Sequence, residues 1–181
     1  MQRIRLRPYR PADADTILSW CREERAFYQW TAGVMGAYPL TREAFAFVEG
    51  LMPFVALAGS DIVGFFTLRE PEKMPGTLRF GFVIVDPALR GRGIGREMLR
   101  LGLRFAFDID GAEKASLGVF ENNPAAAACY RAAGFRDVTR EPAETYRILG
   151  ELWRCREMEA YPDRKGDECR ETPGESPKNL A

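Results

Sequence analysis

Apolar positions alternate with arginines at the start of the chain: Ile4 and Leu6 interleave with Arg3, Arg5 and Arg7. A period of two predicts a half-exposed strand, and Pro8 ends it. Pro11-Ala-Asp-Ala-Asp has the form of a helix start, with Ile17, Leu18 and Cys21 turned inward. The pattern then dissolves into an aromatic-rich loop carrying Phe27, Tyr28, Trp30 and Tyr38. Thr41 stands as the N-cap of a second helix with Ala44, Phe45 and Val48 inward. Two apolar runs, 54–58 and 62–68, flank Gly59-Ser60-Asp61 and predict a β-hairpin. A further strand over 77–85 follows the turn at Pro75-Gly76 and is stopped by Asp86-Pro87.

A helical period returns over 93–107, where Ile94, Met98, Leu101 and Phe105 mark the buried face. A short buried strand over 115–119 follows, then a helix over 124–133 closed by Gly134. Strands over 135–138 and 146–158 complete the order β-α-α-β-β-β-α-β-α-β-β. The strand–helix–strand passage across 77–119 requires one parallel crossover in an otherwise antiparallel sheet, an α+β (mixed α/β) architecture. Residues 162–181 hold almost no apolar side chains and three prolines. The folded domain is therefore expected over 1–161, followed by a polar, flexible tail.

Composition restricts what such a fold can do. Lys+Arg and Asp+Glu both number 26, so no global field attracts nucleic acid or an anionic membrane, and neither partner is expected. Any anion must be held by a local device. The chain has no histidine, which removes Ser-His-Asp and Cys-His catalysis and histidine-containing zinc sites. Cys21, Cys129, Cys155 and Cys169 form no C-x-x-C pair, so no metal is expected and the thiols read as free in a reducing compartment. The basic N-terminus lacks a signal-peptide apolar stretch, and no apolar run approaches the length of a bilayer. A soluble, cytoplasmic protein is expected.

The strongest chemical signal lies between the strand over 77–85 and the helix that follows. Arg90-Gly91-Arg92-Gly93-Ile94-Gly95-Arg96 turns the chain sharply and opens a helix at once. Glycines let consecutive backbone N–H groups converge on one point, and the helix N-terminus adds favourable polarity for an anion. With Arg90, Arg92 and Arg96 beside it, the turn suits a phosphate or pyrophosphate. It fails the dinucleotide pattern G-x-G-x-x-G, because Arg96 holds the third glycine's place, and it lacks the Gly-Lys-Ser/Thr of a P-loop. A plain connecting turn remains the alternative at this point.

Arg90-x-x-Gly93-x-Gly95 after a strand resembles the acetyl-CoA signature of the GNAT N-acetyltransferase superfamily. A second segment, Asn123-x-x-Ala126-x-x-x-Tyr130-x-x-x-Gly134-Phe135, resembles that family's later motif. The resemblance implies a mostly antiparallel sheet of six to seven strands with helices on both faces. It also implies acetyl-CoA as co-substrate, lying between two strands that splay apart. Backbone groups of Val83, Ile84 and Val85 would then hold the pantetheine arm, residues 90–96 the pyrophosphate, and Asn123 the far side of the cofactor.

Acetyl transfer to an amine needs a neutral amine, a donor for the negative charge developing on the carbonyl oxygen, and a proton for the leaving thiolate. The family implies Tyr130 as the acid. Its ordinary pKa of about 10 lies above that of a thiol near 8.5, so the transfer is slightly uphill unless the site tunes it. Many members carry a glutamate base on the strand before the glycine turn, and here that position is Arg79. With no histidine available, the base is then another carboxylate, for which Glu24, Glu70 and Glu151 are candidates, a water chain, or bulk solvent acting on an already neutral amine. Trp20, Phe27, Tyr28, Trp30 and Tyr38 are candidates for an acceptor wall facing a small-molecule or peptide amine, or for a cluster that anchors the loop. The family also implies a possible homodimer through its late strands, with Trp153 at the interface or in the core. A catalytically silent acyl-CoA-binding module on the same fold is the alternative reading.

Overall fold

A computed structural model describes residues 3–140 and 142–163; the expected tail beyond Asp163 lies outside them. One sheet contains β1 (Ile4–Pro8), β2 (Met52–Ala58), β3 (Asp61–Arg69), β4 (Thr77–Val85), β5 (Lys114–Phe120), β6 (Arg136–Val138), β7 (Glu144–Ile148) and β8 (Glu151–Ala160). The order is β1-β2-β3-β4-β5-β8-β6, and β7 also pairs with β8. Neighbours are antiparallel except β4 and β5. Cys155 of β8 pairs with Phe120 on one side and Glu144 on the other, while residues 157–159 pair with both β5 and β6. β6 and β7 thus lie end to end along one edge of β8, and eight strands occupy seven positions. The strand expected over 146–158 is in fact a hairpin. Leu149 and Gly150 turn it with φ of +52° and +76°, the two-residue geometry that matches strand twist.

Five helices cover the sheet: α1 (Ala14–Leu18), α2 (Glu24–Thr31), α3 (Arg42–Phe45), α4 (Ile94–Arg104) and α5 (Pro124–Ala133). On one face, α4 and α5 bury Met98, Leu99, Leu103 and Tyr130 against Phe66, Phe80 and Phe135. On the other, Ile17, Trp20, Phe45 and Val48 cover Val55, Phe65 and Ile84. The buried face of α4 is broader than the single stripe expected. Leu101 and Phe105 are half-buried while Leu99, Leu103 and Ala106 are fully covered, because the helix wedges between the sheet and α5. Gly102 permits that approach, since a Cβ there would stand 2.7 Å from the Phe80 ring. Ala44, expected inward, is exposed. Trp153 is buried within this chain, against Phe120 and Ile148.

The N-terminal segment is fixed by a bidentate pair. Arg7 donates to both carboxylate oxygens of Asp13 at 2.7 and 2.8 Å, and Arg10 N–H donates to the same group at 2.8 Å. The hydrogen bond from Arg7 holds the Asp13 carboxyl below its usual range. A depressed carboxyl stabilises the fold above its unfolded pKa of about 4 and loses that contribution as pH falls through the folded value. Asp13→Asn is expected to cost about 1–3 kcal/mol at pH 7 in urea unfolding. The gap from wild type should close below about pH 4; a gap independent of pH would mean that charge is not what Asp13 contributes.

Candidate functional site

Strands β4 and β5 run parallel yet share only three register pairs, Thr77 with Lys114, Leu78 with Ala115, and Arg79 with Ser116. Beyond Arg79 the ladder stops, and β4 continues to Val85 with β3 on one side and, among the described residues, no strand on the other. The cause is in β4 itself. Between the pairs Phe65–Ile84 and Thr67–Gly81, β3 advances two residues while β4 advances three. The extra residue makes a bulge at Phe82, whose φ of +49° is left-handed. A phenylalanine held there costs about 1–3 kcal/mol, and its ring packs edge-on against Phe47 at 6.2 Å. Facing switches across the bulge: Phe80 and Val83 both pack towards α4 and α5, while Ile84 turns to the opposite cluster.

The glycine turn sits at the open end of this gap. Asp86 caps a short 3-10 turn, Pro87–Leu89, by accepting from Ala88 N–H at 2.9 Å. Gly91 and Gly93 then take φ of +75° and +78°, and Gly93 is the N-cap of α4. Around a Cβ placed on Gly91 there is open space; on Gly93 the nearest atom is Arg96 Nη2 at 3.7 Å. The first helical bond runs from Glu97 N–H to Gly93 O at 3.1 Å. The N–H groups of Ile94, Gly95 and Arg96 therefore have no helical acceptor. Arg90, Arg92 and Arg96 are exposed and form no ion pair among the described residues. Converging donors, helix polarity and three guanidiniums fit a pyrophosphate. Gly95 has a different reason to be glycine, since a Cβ would stand 2.9 Å from Cys129 Sγ, where α4 meets α5.

Asn123 is the N-cap of α5, accepting from Ala126 N–H at 3.2 Å through its side-chain oxygen. Tyr130 lies seven residues on, on the buried face of that helix. Burial first, then the nearby Cys129 and Cys155 thiols, pushes its phenol well above the ordinary value. Val83 and Val85 pack towards α4 and α5, and Ile84 is buried on the other face, so their backbone edge fronts the gap.

On the α2 face the gap opens into a cavity of about 420 Å³. Its lining includes Trp30, Phe47, Phe82, Phe120 and Tyr146, with Arg69 and Arg79 at one end and Gly81 and Gly118 flanking the gap. Tyr146 donates to Glu144 at 2.5 Å, and burial together with that bond pushes its phenol far up. Cys155 also lines the cavity and is held as a neutral thiol, pushed up to about 11 by burial and by Glu144.

Arg79 borders this space, but its guanidinium is engaged within the sheet. It crosses β5 to Glu157 of β8 at 2.5 Å and touches Ser116 Oγ at 3.3 Å on the way. Gly118 makes the crossing possible, because a Cβ there would lie 3.2 Å from Arg79 Nη2 and 2.9 Å from Cys155 Sγ. Burial is the largest single influence and opposes the Arg79 charge, but the hydrogen bond to Glu157 and the attraction of nearby negative groups together outweigh it, and the guanidinium stays charged.

Of the five aromatics expected as an acceptor wall, Trp30 alone lines the cavity. Its Nε1 is buried without a hydrogen-bond partner. Trp20 and Phe27 are core, Tyr28 packs beside Phe120 and Trp153, and Tyr38 donates to Arg22 O at 2.9 Å. The segment that carries three of them is α2 rather than a loop, and Gln29 ties it to Asn122 O at 3.0 Å. The candidate bases are engaged elsewhere: Glu70 accepts from Gly76 N–H, Glu151 pairs with Arg25, and Glu24 is exposed in the first turn of α2. Sequence reading missed Arg69, Gly118 and Glu157. The one available signal was a glutamate at an inward position of the last strand.

Comparison with known proteins matches residues 14–135 to the acetyltransferase (GNAT) family. Mycothiol acetyltransferases of Salinispora tropica and Salinispora arenicola are 34% identical over 140 residues and 32% over 142. Each match covers 73% of this chain and 44% of the relative, so the chain spans less than half the length of these proteins. Among solved structures, the spermidine N-acetyltransferase of Vibrio cholerae in complex with CoA and spermine superposes with a TM-score of 0.73. It shares 19% identity, over 87% of this chain and 95% of that one. AAC(6')-Ib in complex with ribostamycin and coenzyme A gives 0.68 at 17% identity, over 91% and 98%. At such identities the likeness is one of fold.

Removing Arg79 leaves Glu157 buried with Arg140 at 3.8 Å as its remaining cation. Arg79→Met is expected to destabilise by about 3–5 kcal/mol in urea unfolding, with partial recovery when Glu157→Gln is added. Stability equal to wild type would show that the crossing contributes nothing to the fold.

Proposed function

The chain belongs to the GNAT acetyltransferase family, and we propose that it transfers the acetyl group of acetyl-CoA to the nitrogen of a primary amine carried by a small molecule or peptide. The observation that carries this reading is the strand gap, which runs from the cationic glycine turn to an aromatic cavity on the opposite face. When bound, acetyl-CoA supplies an acetyl group activated as a thioester. The backbone of Arg90, Gly91, Arg92, Gly93, Ile94, Gly95 and Arg96 holds its pyrophosphate, and the unpaired edge of Val83, Ile84 and Val85 holds the arm. Asn123 caps α5 with its oxygen and keeps its amide N–H groups for the cofactor.

Tyr130 is the proton donor to the departing sulfur. Its raised pKa keeps it fully protonated across the neutral range, so the acid is always present. The same shift makes its ionisation costly, and the donation needs a thiolate that is itself poorly solvated in the gap. The amine's proton leaves by a different path. Tyr146 accepts it at Oη while passing its own proton to Glu144, which is exposed and exchanges with water.

Calorimetric titration with acetyl-CoA, followed by thiol release across an amine panel, tests the reading. Binding without release by any amine would favour a silent acyl-CoA-binding module. Tyr130→Phe is expected to retain acetyl-CoA affinity and to lower kcat on the order of a hundredfold; unchanged kcat would remove Tyr130 as the acid. Glu144→Gln is expected to lower kcat/KM by about tenfold near pH 7, with the deficit shrinking as pH approaches the acceptor's own pKa. A deficit constant with pH would make Glu144 a structural residue.

A further inference from the structure

Two strands that floor the cavity place like charges side by side. Arg69, the last residue of β3, stands directly opposite Arg79 of β4 in antiparallel register, and both line the cavity. Like charges placed opposite each other across strands are destabilising. Arg79 is neutralised by Glu157, whereas Arg69 forms no ion pair among the described residues. No aspartate or glutamate is among the described residues lining the cavity, so its charged lining is guanidinium alone. This cationic end is remote from the glycine turn. The strand from Arg79 to Val85 rises roughly 20 Å, in the direction away from Arg69. The pyrophosphate held at 90–96 is thus not the anion that Arg69 awaits.

From this arrangement we propose that the acceptor amine also carries a carboxylate, and that Arg69 binds it. The inference rests on the acetyltransferase function proposed above. The planar guanidinium matches a carboxylate with two parallel hydrogen bonds. A volume of about 420 Å³ suits an acceptor the size of an amino acid or dipeptide. The aromatic rings of Trp30, Phe47 and Phe120 cover its apolar part. Its ammonium end meets Tyr146, with the Glu144 carboxylate behind the phenol. A polycation such as spermine, bound by one of the similar folds, meets the uncompensated Arg69 guanidinium here and is disfavoured by repulsion.

The test measures thiol release from acetyl-CoA with matched acceptors: amino acids and dipeptides against their own C-terminal amides, and spermine. Wild type is expected to favour the free carboxylates by roughly 10- to 100-fold in kcat/KM. Arg69→Met should erase that preference, mainly through KM, and Arg69→Lys should restore part of it. Calorimetry should show unchanged acetyl-CoA affinity in Arg69→Met together with weakened binding of the carboxylate acceptor. Equal rates for acid and amide, or a preference for spermine, would overturn the carboxylate assignment and leave the acetyltransferase reading standing. Thiol release with none of the acceptors, despite acetyl-CoA binding, would overturn both.

Discussion

The one-residue surplus in β4 sets the arrangement of everything around it. A strand of regular pleat would keep β4 in register with β3 and leave it free to pair with β5 along its whole length. The extra residue at Phe82 rotates the strand, and pairing with β5 stops at Arg79 and Ser116. What remains is an edge of main-chain donors and acceptors inside a sheet, normally a costly thing to leave without partners. In the proposed function that edge receives an extended ligand as if the ligand were a strand. Cavity and glycine turn lie at the two ends of one gap, and neither needs a global charge on the protein.

Holding such a slot open requires that its closed end be firm. The Arg79 guanidinium crosses beneath Gly118 to Glu157, so three strands are tied at the level where two of them separate. Lys114 and Arg140 meet Glu159 two positions further along the same face of β8. A row of buried carboxylates, met by cations that reach in from the surface, thus replaces apolar packing on that part of the sheet. Ion pairs of this kind contribute little net stability, because desolvation offsets attraction. They do fix geometry, since each partner removed leaves a charge stranded.

Much of this was legible in the sequence wherever the information is local. Strand, glycine turn and helix at 77–107 follow from period and from residues that tolerate positive φ. Asn123 and Gly134 announce the two ends of α5, and the hairpin of β2 and β3 follows from its apolar runs and turn residues. The elements that escaped are those whose cause is distant or atypical. Leu149 takes a left-handed turn position where asparagine or aspartate is usual, so the β7–β8 hairpin reads as one strand. Phe82 hides a bulge beside a glycine that looks the better place for one. Helix α2 is only eight residues long, with two buried positions, Phe27 and Thr31, four apart, too short a stretch for its period to stand out among aromatics that pack in several directions. Arg79 and Glu157 are 78 residues apart, and only the insertion of β8 between β5 and β6 brings them together. The cavity was least legible for the same reason, since its walls come from seven separate stretches of chain.

The position of β8 also bears on how the molecule is assembled. This strand is the last described, yet it is central, with β5 on one edge and β6 and β7 sharing the other. Contacts of such long sequence separation form slowly, because loop closure must precede any gain from pairing. During vectorial synthesis the glycine turn and helix α4 emerge with β1 to β4 already available to pack beneath them. The cavity lacks its wall at Tyr146 and Cys155 until β7 and β8 leave the ribosome. A nascent chain therefore holds the cationic turn for some time before the cavity on the opposite face is enclosed.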